Sequence, residues 1–220
     1  MPPKFAFISD FDNTLTNKDF YWLMIEKYLP VRGYELFQAW KAGKYLDIEF
    51  LAEIFRSIKQ PEEQIRQDIL TLIPLDKDFK PLLELVLRLG GDFYIASAGT
   101  DYYIKILFEY YKIENVTIIS NPGYYKAGGI HLALNTNSDF YSKRYGVDKE
   151  KVVNSLRATH QTIFYAGDSG PDLKASLVAD IRFAKGELIA LLKDAGKEFY
   201  PFEDFSTVKN IIETFFADYR

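Results

Sequence analysis

Two aspartates stand directly after a short apolar run near the start of the chain, and their spacing places both carboxylates on one side of an extended segment. The run Phe5 to Ile8 is typical of a buried strand in a parallel sheet. Asp10 and Asp12 are two residues apart, so in an extended segment their side chains point to the same side. Because open α/β sheets bind ligands at the carboxyl ends of their strands, both carboxylates are candidates for a functional site. A solvated turn at a strand end is the alternative interpretation.

Three further stretches place polar side chains at comparable positions. Ser97 follows one strand-like run, and Lys149 stands at the start of a predicted helix. Asp168 and Asp172 follow another strand-like run, within the segment from Gly167 to Asp172. Because the carboxyl ends of parallel strands meet at one edge of a sheet, we expect these side chains to share a pocket with the first two aspartates.

Such a pocket would be strongly acidic, because it holds four aspartates and a single lysine. Like charges at this range disfavour ionisation, and a hard divalent cation that takes carboxylate oxygens as ligands relieves the repulsion. Mg²⁺ fits this donor set best, and we predict it as the cofactor. With the cation present, the Ser97 hydroxyl and the Lys149 ammonium can bind the oxygens of a phosphate group.

The nucleophile of such a phosphate reaction follows by elimination. The chain contains no Cys, and Ser97 has no candidate base nearby in the sequence. A carboxylate can attack phosphorus to form an aspartyl phosphate, and Asp10 comes first at the strand end. Asp12 can protonate the leaving alcohol and then deprotonate the water that cleaves the intermediate. To act as an acid near neutral pH, Asp12 needs a raised pKa or a proton shared through water.

Composition disfavours several other classes of function. The 220-residue chain has a formal net charge of −4, which argues against nucleic acid or an anionic membrane as the main partner. No apolar run reaches the ~18 residues of a membrane span, and no basic segment leads into a long apolar one, so we expect a cytoplasmic protein. With no Cys and only two His, a thiolate metal site, a histidine metal cluster and a serine-protease-like triad are disfavoured.

Strand-like and helix-like segments alternate along most of the chain, which predicts an α/β fold with a doubly wound parallel sheet. The predicted strands are 5–8, 93–96, 116–119, 162–166 and 181–184. The predicted helices are 19–29, 34–42, 47–58, one from Pro61, 80–89, 101–112, 148–157, one with Pro171 in its first turn, 187–195 and 206–217.

Two stretches depart from this alternation. Residues 124–134, with a Gly-Gly pair between apolar runs, predict a small β-hairpin. Residues 17–75 carry helical patterns alone and predict an inserted all-helical cap domain. The α/β core domain is then formed by residues 1–16 and 76–220.

Taken in order, the motifs resemble those of the haloacid dehalogenase-like (HAD) phosphatases. They are Asp10-Phe-Asp12-Asn-Thr14, Ser97, Lys149 and Gly167-Asp168-Ser-Gly-Pro-Asp172. The cap-sized spacing between the first two is similar to the branch that includes phosphoserine phosphatase and the methylthiopentenyl-phosphate phosphatase of methionine salvage. The resemblance implies a Mg²⁺-dependent phosphatase that acts on a small phosphorylated metabolite through an aspartyl-phosphate intermediate.

The resemblance also implies a role for each motif residue. Asp10 is expected to be the nucleophile and Asp12 the acid/base. The expected metal ligands are Asp10, the backbone carbonyl of Asp12, and Asp168, with Asp172 supporting the metal site through water. The expected phosphate ligands are Thr14, Ser97 and Lys149.

Substrate selectivity is expected from the cap. The phosphoserine phosphatases use a cap acid for the substrate amine and a cap arginine for its carboxylate. Asp19 stands where the acid would be, Glu53 falls near the place of the arginine, and Arg56 follows one helical turn later. Because Glu53 would repel a carboxylate, we predict a sugar-like or keto phosphate, or an amino-alcohol phosphate, as substrate. Phosphoserine is the alternative if Arg56 turns inward.

Other functions are compatible with parts of the sequence. A phosphotransferase to an alcohol acceptor would share the first half-reaction. A non-catalytic receiver-type switch would use an acidic cluster, a hydroxyl and a lysine, but it leaves the helical block unexplained. A non-catalytic binding protein on the same fold would not need the intact acidic motifs, which favour an enzyme.

Overall fold

A computed structural model describes residues 4–217 as a six-stranded parallel sheet flanked by helices, with two small antiparallel hairpins. The strands are β1 (Phe5–Ser9), β2 (Asp92–Thr100), β3 (Val116–Asn121), β4 (Gly123–Lys126), β5 (Gly129–Leu132), β6 (Tyr141–Ser142), β7 (Gly146–Val147), β8 (Thr162–Gly167), β9 (Ile181–Ala184) and β10 (Tyr200–Pro201). The helices are α1 (Phe20–Tyr28), α2 (Arg32–Lys41), α3 (Asp47–Ser57), α4 (Glu62–Leu72), α5 (Phe79–Arg88), α6 (Asp101–Tyr111), α7 (Lys149–Leu156), α8 (Leu173–Val178), α9 (Leu188–Asp194) and α10 (Phe205–Phe215).

The order of the strands places the first one at the centre of the sheet. The order is β10-β9-β8-β1-β2-β3, and each neighbouring pair is parallel. The chain therefore winds outward through β2 and β3 on one side of β1 and through β8, β9 and β10 on the other. This arrangement confirms the predicted doubly wound α/β fold. It also makes the carboxyl end of β1 the point where the winding reverses, which is where such sheets hold ligands.

Every residue of β1 is buried, which explains why this run is almost entirely apolar. The ring of Phe7 lies 5.0 Å from that of Phe93 on β2, and the ring of Phe5 lies 5.5 Å from that of Phe164 on β8. Aromatic packing across neighbouring strands contributes to sheet stability in addition to the area that it buries. The packing fixes the position of the segment that follows β1.

Helices α1 to α4 lie between β1 and α5, and aromatic side chains join the first three of them. Trp40 of α2 stacks on Phe50 of α3 with ring centroids 4.8 Å apart, and Trp22 of α1 packs 4.7 Å from Phe37 of α2. The two ends of this insertion meet, because Thr16 forms an antiparallel bridge with Leu75. The division into a core and a cap at residues 16 and 76 stays a prediction, which this bridge supports.

Three local features differ from the sequence-based predictions. The hairpin of β6 and β7 and the edge strand β10 were not predicted, because a strand of two residues carries no periodicity to detect. Strand β2 continues to Thr100, so Ser97 lies within the strand and not after it; the register shifts between Ala96 and Thr100. Pro171 lies in a 3₁₀ turn that precedes α8. Among the described residues, no helix is both long and apolar enough to cross a bilayer.

Candidate active site

A cleft of 370 Å³ opens at the carboxyl end of β1. Its walls include Asp10 and Asp12 after β1, Ser97 on β2, Lys149 on α7 and Asp168 after β8. The backbone N–H of Asp10 donates to the carbonyl oxygen of Ala166, 2.9 Å away, so pairing with β8 continues up to the first aspartate. The central position of β1 therefore brings together residues that lie up to about 160 positions apart in the sequence.

Lys149 joins two of the carboxylates at the base of this cleft. Its ammonium Nζ lies 2.6 Å from Oδ1 of Asp10 and 2.7 Å from Oδ1 of Asp172, and all three side chains are buried. Burial by itself lowers the pKa of Lys149, but the charges of Asp10 and Asp172 outweigh this effect and raise it. The lysine therefore stays protonated and offsets part of the negative charge.

Asp172 is held by four donors. The Lys149 ammonium and the Tyr165 hydroxyl, 2.6 Å away, donate to Oδ1, and the backbone N–H groups of Asp168 and Ser169 donate to Oδ2 from 3.1 Å. A side chain at Gly167 would place its Cβ 2.6 Å from Cγ of Asp172, so this approach requires glycine. With both oxygens engaged, Asp172 orients Lys149 and the turn that carries Asp168.

Three carboxylates are close enough to share a cation. One oxygen from each of Asp10, Asp168 and Asp172 lies within 4.8 Å of the other two. Burial and the charge of Asp172 raise the pKa of Asp10 well above its ordinary value and that of Asp168 to about 7. A buried set of carboxylate oxygens that repel one another in this way fits a hard divalent cation such as Mg²⁺.

Asp12 is held at both oxygens. The backbone N–H of Phe20, the first residue of α1, donates to Oδ1 from 3.0 Å, and the Tyr103 hydroxyl donates to Oδ2. Burial, followed by the charge of Asp19, raises the pKa of Asp12 to about 8. A carboxyl group with this pKa can carry a proton near neutral pH, as an acid/base must.

The two hydroxyl residues predicted to bind phosphate lie in different places. Ser97 is buried and lines the cleft, and its Oγ accepts the backbone N–H of Gly99 at 3.0 Å. Thr14 is buried but does not line the cleft, and within the described residues its Oγ1 has no hydrogen-bond partner. Phosphate binding by Thr14 stays a prediction that its position does not support.

The three predicted substrate residues of the cap are also separated. Asp19 lines the cleft and accepts a hydrogen bond of 2.7 Å from the Asn13 amide. Glu53 and Arg56 form an ion pair with each other on the outer side of α3 and do not line the cleft. The Arg56 side chain is 56% exposed, so it does not turn inward as phosphoserine binding would require.

Other residues reach the cleft that the sequence did not point to. Arg144, beside β7, lines the cleft and donates from Nε to Asp47 of α3 at 2.7 Å, and its carbonyl accepts the N–H of Ile48. Tyr103 lines the cleft from the first turn of α6. Its place six residues after Ser97, in the helix that follows a motif strand, is the signal that could have identified it.

Comparison with known proteins identifies a family. The model of a family described as haloacid dehalogenase-like hydrolase (HAD) matches residues 7–176. The match runs from within β1 to α8. It therefore includes the four inserted helices and the acidic residues of the cleft from Asp10 to Asp172.

Curated relatives extend the similarity over most of the chain. A protein of Bacillus velezensis named 2-hydroxy-3-keto-5-methylthiopentenyl-1-phosphate phosphatase is 27% identical over 208 residues, which cover 94% of this chain and 88% of that protein. A protein of the same name from Exiguobacterium sibiricum is 24% identical over 210 residues, which cover 94% of this chain and 95% of that protein.

Solved structures share the fold at lower identity. A HAD family hydrolase from Salmonella enterica serovar Typhi superposes with a TM-score of 0.70 at 15% identity, covering 93% of this chain and 69% of that chain. A substrate-bound phosphoserine phosphatase superposes with a TM-score of 0.68 at 13% identity, covering 96% of this chain and 99% of that chain. At these identities the likeness concerns the fold alone.

Proposed function

This chain belongs to the haloacid dehalogenase-like hydrolase family and is a phosphatase of that family, and we propose that it hydrolyses a small phosphomonoester through a phosphorylated Asp10. The observation that carries the proposal is the convergence of Asp10, Asp12, Ser97 and Lys149 on one cleft. These side chains supply a nucleophile, an acid/base and two groups that bind phosphate oxygens.

In the first half-reaction, a carboxylate oxygen of Asp10 attacks phosphorus. A bond forms between that oxygen and phosphorus, the ester P–O bond breaks, and the leaving oxygen takes the proton carried by Asp12. Lys149 fixes Oδ1 of Asp10 at 2.6 Å, so the orientation of the nucleophile does not depend on the substrate.

In the second half-reaction, water attacks the phosphorus of the aspartyl phosphate. Asp12 takes the proton of the water, the bond between Asp10 and phosphorus breaks, and inorganic phosphate leaves. Asp12 then carries a proton again and Asp10 is a carboxylate, so the enzyme is restored. The same group acts as acid and base because it lines the cleft beside the nucleophile.

The acidic cluster supports the predicted cofactor. Asp10, Asp168 and the backbone carbonyl of Asp12 would hold Mg²⁺. Asp172 would support the metal site through water. When bound, the cation neutralises charge on the phosphate and polarises its oxygens. Ser97 and Lys149 remain the groups of this chain that bind the other phosphate oxygens.

An aromatic wall of the cleft supports a substrate with an apolar part. This wall, formed by α1, α2 and α3, presents the rings of Tyr21, Trp40 and Phe50 to the cleft. Aromatic surfaces of this kind gain free energy by covering apolar groups. We infer a keto or sugar-like phosphate with a small apolar arm as the preferred substrate, in agreement with the compound in the names of the Bacillus and Exiguobacterium relatives.

Three other possibilities from the sequence remain testable at the same site. The amino-alcohol phosphate that was predicted beside a keto phosphate could place its ammonium against Asp19, which lines the cleft. Phosphoserine is less favoured, since Arg56 faces away and is paired with Glu53. Transfer of the phosphoryl group to an alcohol would use the same first half-reaction.

A cytoplasmic location also stays a prediction.

Steady-state kinetics on a panel of phosphomonoesters test the proposal. With Mg²⁺ present, we expect kcat/KM to be highest for 2-hydroxy-3-keto-5-methylthiopentenyl-1-phosphate, followed by pentulose phosphates, with phosphoethanolamine and phosphoserine lower. A preference for phosphoserine would overturn the substrate inference. Formation of a phosphorylated alcohol in place of free phosphate, measured with glycerol added, would identify a phosphotransferase. Turnover of none of the esters would overturn the proposed reaction.

A further inference from the structure

Tyr103 is a buried tyrosine whose hydroxyl reaches the acid/base. Its side chain is fully buried in the first turn of α6. The ring stacks on Phe20 with centroids 4.3 Å apart and meets the edge of Phe11 at 5.5 Å. Phe11 and Phe20 flank the loop that carries Asp12, so the ring is clamped by the same segment that its hydroxyl contacts.

The contact between Tyr103 and Asp12 depends on the glycine at position 99, which has no side chain. A Cβ at Gly99 would lie 2.6 Å from the Tyr103 hydroxyl oxygen and 2.9 Å from Oδ2 of Asp12. Real Cβ atoms essentially never come this close to other heavy atoms, so any larger residue at position 99 would force the Tyr103 hydroxyl or the Asp12 carboxyl to shift. The end of β2 therefore leaves room for this hydrogen bond.

The two hydrogen bonds of Asp12 come from different parts of the fold. Tyr103 holds Oδ2 from α6, next to the sheet, and the N–H of Phe20 holds Oδ1 from the start of the inserted helices. Two donors on opposite oxygens fix the plane of a carboxyl group, whereas one donor leaves it free to rotate about the bond between Cβ and Cγ. The tyrosine hydroxyl supplies the constraint that comes from the helix after β2.

We propose that Tyr103 is a positioning residue that holds the Asp12 carboxyl in the orientation required for proton transfer to the leaving oxygen. The inference rests on the proposed function, because it takes Asp12 as the acid. The hydroxyl proton of Tyr103 stays on the tyrosine and is donated to Oδ2. The proton that moves passes between Asp12 and the leaving oxygen, as the ester P–O bond breaks.

This role predicts a dependence on the leaving group that a purely structural role does not. A poor leaving group needs a proton from the acid, whereas a good one departs as an anion without help. Loss of the hydroxyl should therefore slow the hydrolysis of esters of weakly acidic phenols and leave the hydrolysis of esters of acidic phenols almost unchanged. Since kcat/KM reports the steps up to departure of the leaving group, it is the parameter to compare.

The test uses Tyr103→Phe and a series of aryl phosphates from 2,4-dinitrophenyl through 4-nitrophenyl to phenyl phosphate. We expect kcat/KM to fall about 10- to 100-fold for phenyl phosphate and less than about threefold for the dinitrophenyl ester. The matched control is Tyr102→Phe on the same helix, whose hydroxyl donates to Glu62 at 2.9 Å and does not line the cleft. Inhibition by inorganic phosphate should be unchanged in both variants.

Two further variants make the outcomes distinct. Asp12→Asn should show the same leaving-group dependence in a stronger form. Gly99→Ala should show it together with weaker inhibition by inorganic phosphate, because its Cβ would also lie 3.2 Å from Oγ of Ser97. An equal fractional loss for all esters in Tyr103→Phe, or no loss, would overturn the positioning role while leaving the proposed function intact. If wild-type protein turned over none of the esters, the proposed function itself would fail, and this inference with it.

Discussion

The ammonium of Lys149 lies 2.6 Å from Oδ1 of Asp10, at the junction of α7 and the central strand of the sheet. Both side chains are buried, and the same nitrogen reaches Asp172 at 2.7 Å. A lone positive charge thus lies between two carboxylates that would otherwise repel each other. Its removal would leave two buried carboxylates without a compensating positive charge, which is among the most costly single changes in a protein.

We expect Lys149→Met to lower both stability and activity. In chelator, the free energy of unfolding should fall by about 3–5 kcal/mol, because Asp10 and Asp172 lose their shared partner. Chemical denaturation measures this change. The matched control is Lys151→Met on the same helix, because that lysine is exposed and donates to the backbone carbonyl of Tyr141. Equal stability of the two variants would contradict the account of the buried ion pair.

Metal binding should be measurable without catalysis. Added Mg²⁺ is expected to raise the melting temperature of the wild-type protein, because it removes the repulsion among Asp10, Asp168 and Asp172. Asp168→Asn should abolish this shift, whereas Asp139→Asn, at an exposed acid away from the cleft, should keep it. Phosphatase activity should disappear in chelator and return with Mg²⁺. Full activity in chelator would refute the metal site.

Replacement of Asp10 and of Asp12, the two aspartates after β1, should have different effects on turnover. Asp10→Asn is expected to abolish turnover with the fold intact, because an amide does not attack phosphorus. Asp12→Asn should slow the departure of poor leaving groups and the attack of water. With a good leaving group, it should let a phosphoenzyme accumulate. Mass spectrometry of quenched protein would locate the phosphate, and its presence on any residue other than Asp10 would end the nucleophile assignment.

The sequence was sufficient to predict the parts of the site that lie at the ends of β1 and β8, and Lys149 at the start of α7. These positions follow from topology, since parallel strands end at one edge and each motif comes next to a strand or a helix start. The hydrogen bonds of Tyr103 to Asp12 and of Tyr165 to Asp172 could not be predicted in this way, although the place of Tyr103 in the helix after Ser97 was a signal. Tyrosines in buried helices and strands are ordinary core residues, and their hydroxyl partners depend on packing.

The sequence predicted the cap as a helical insertion, but it did not predict which of the cap side chains face the cleft. Glu53 and Arg56 were placed by counting along α3, where an error of one or two residues turns a side chain to a different face. In the structure they pair on the outer side of that helix. Arg144, which does line the cleft, comes from a hairpin too short to leave a pattern in the sequence.

The aromatic wall of the cleft should determine substrate selectivity. Trp40→Ala is expected to lower kcat/KM about 10- to 100-fold for a keto phosphate with an apolar arm, because truncation removes apolar contact area. The value of kcat/KM for phosphoethanolamine should change little. The ratio between the two substrates is the measured quantity, since it is insensitive to partial unfolding. Tyr34→Ala on the same helix is the control, because this aromatic is 45% exposed and lies outside the cleft. An unchanged ratio would exclude Trp40 from substrate binding.

Asp68 should make the stability of the inserted helices depend on pH. This buried residue of α4 accepts from Lys27 at 2.6 Å, from Gln64 at 3.1 Å and from the Tyr28 hydroxyl. Burial alone would raise the pKa of Asp68, but these donors outweigh it and hold the pKa below its ordinary value. A lowered pKa in the folded state means that the stabilisation is complete above the unfolded pKa of about 3.9 and is lost as pH falls further.

We therefore expect Asp68→Asn to lower the free energy of unfolding by about 1.5–3 kcal/mol at pH 7, because it removes charge-assisted hydrogen bonds. The difference from wild type should shrink as the pH falls below about 4, because the Asp68 carboxylate is protonated first in the unfolded chain and only at lower pH in the folded protein. Denaturation curves at several pH values measure the difference directly. Tyr28→Phe, which removes one donor and keeps the ion pair with Lys27, should cost less at neutral pH. A difference between Asp68→Asn and wild type that stays constant down to pH 3 would show that packing, and not the charge of Asp68, accounts for the loss.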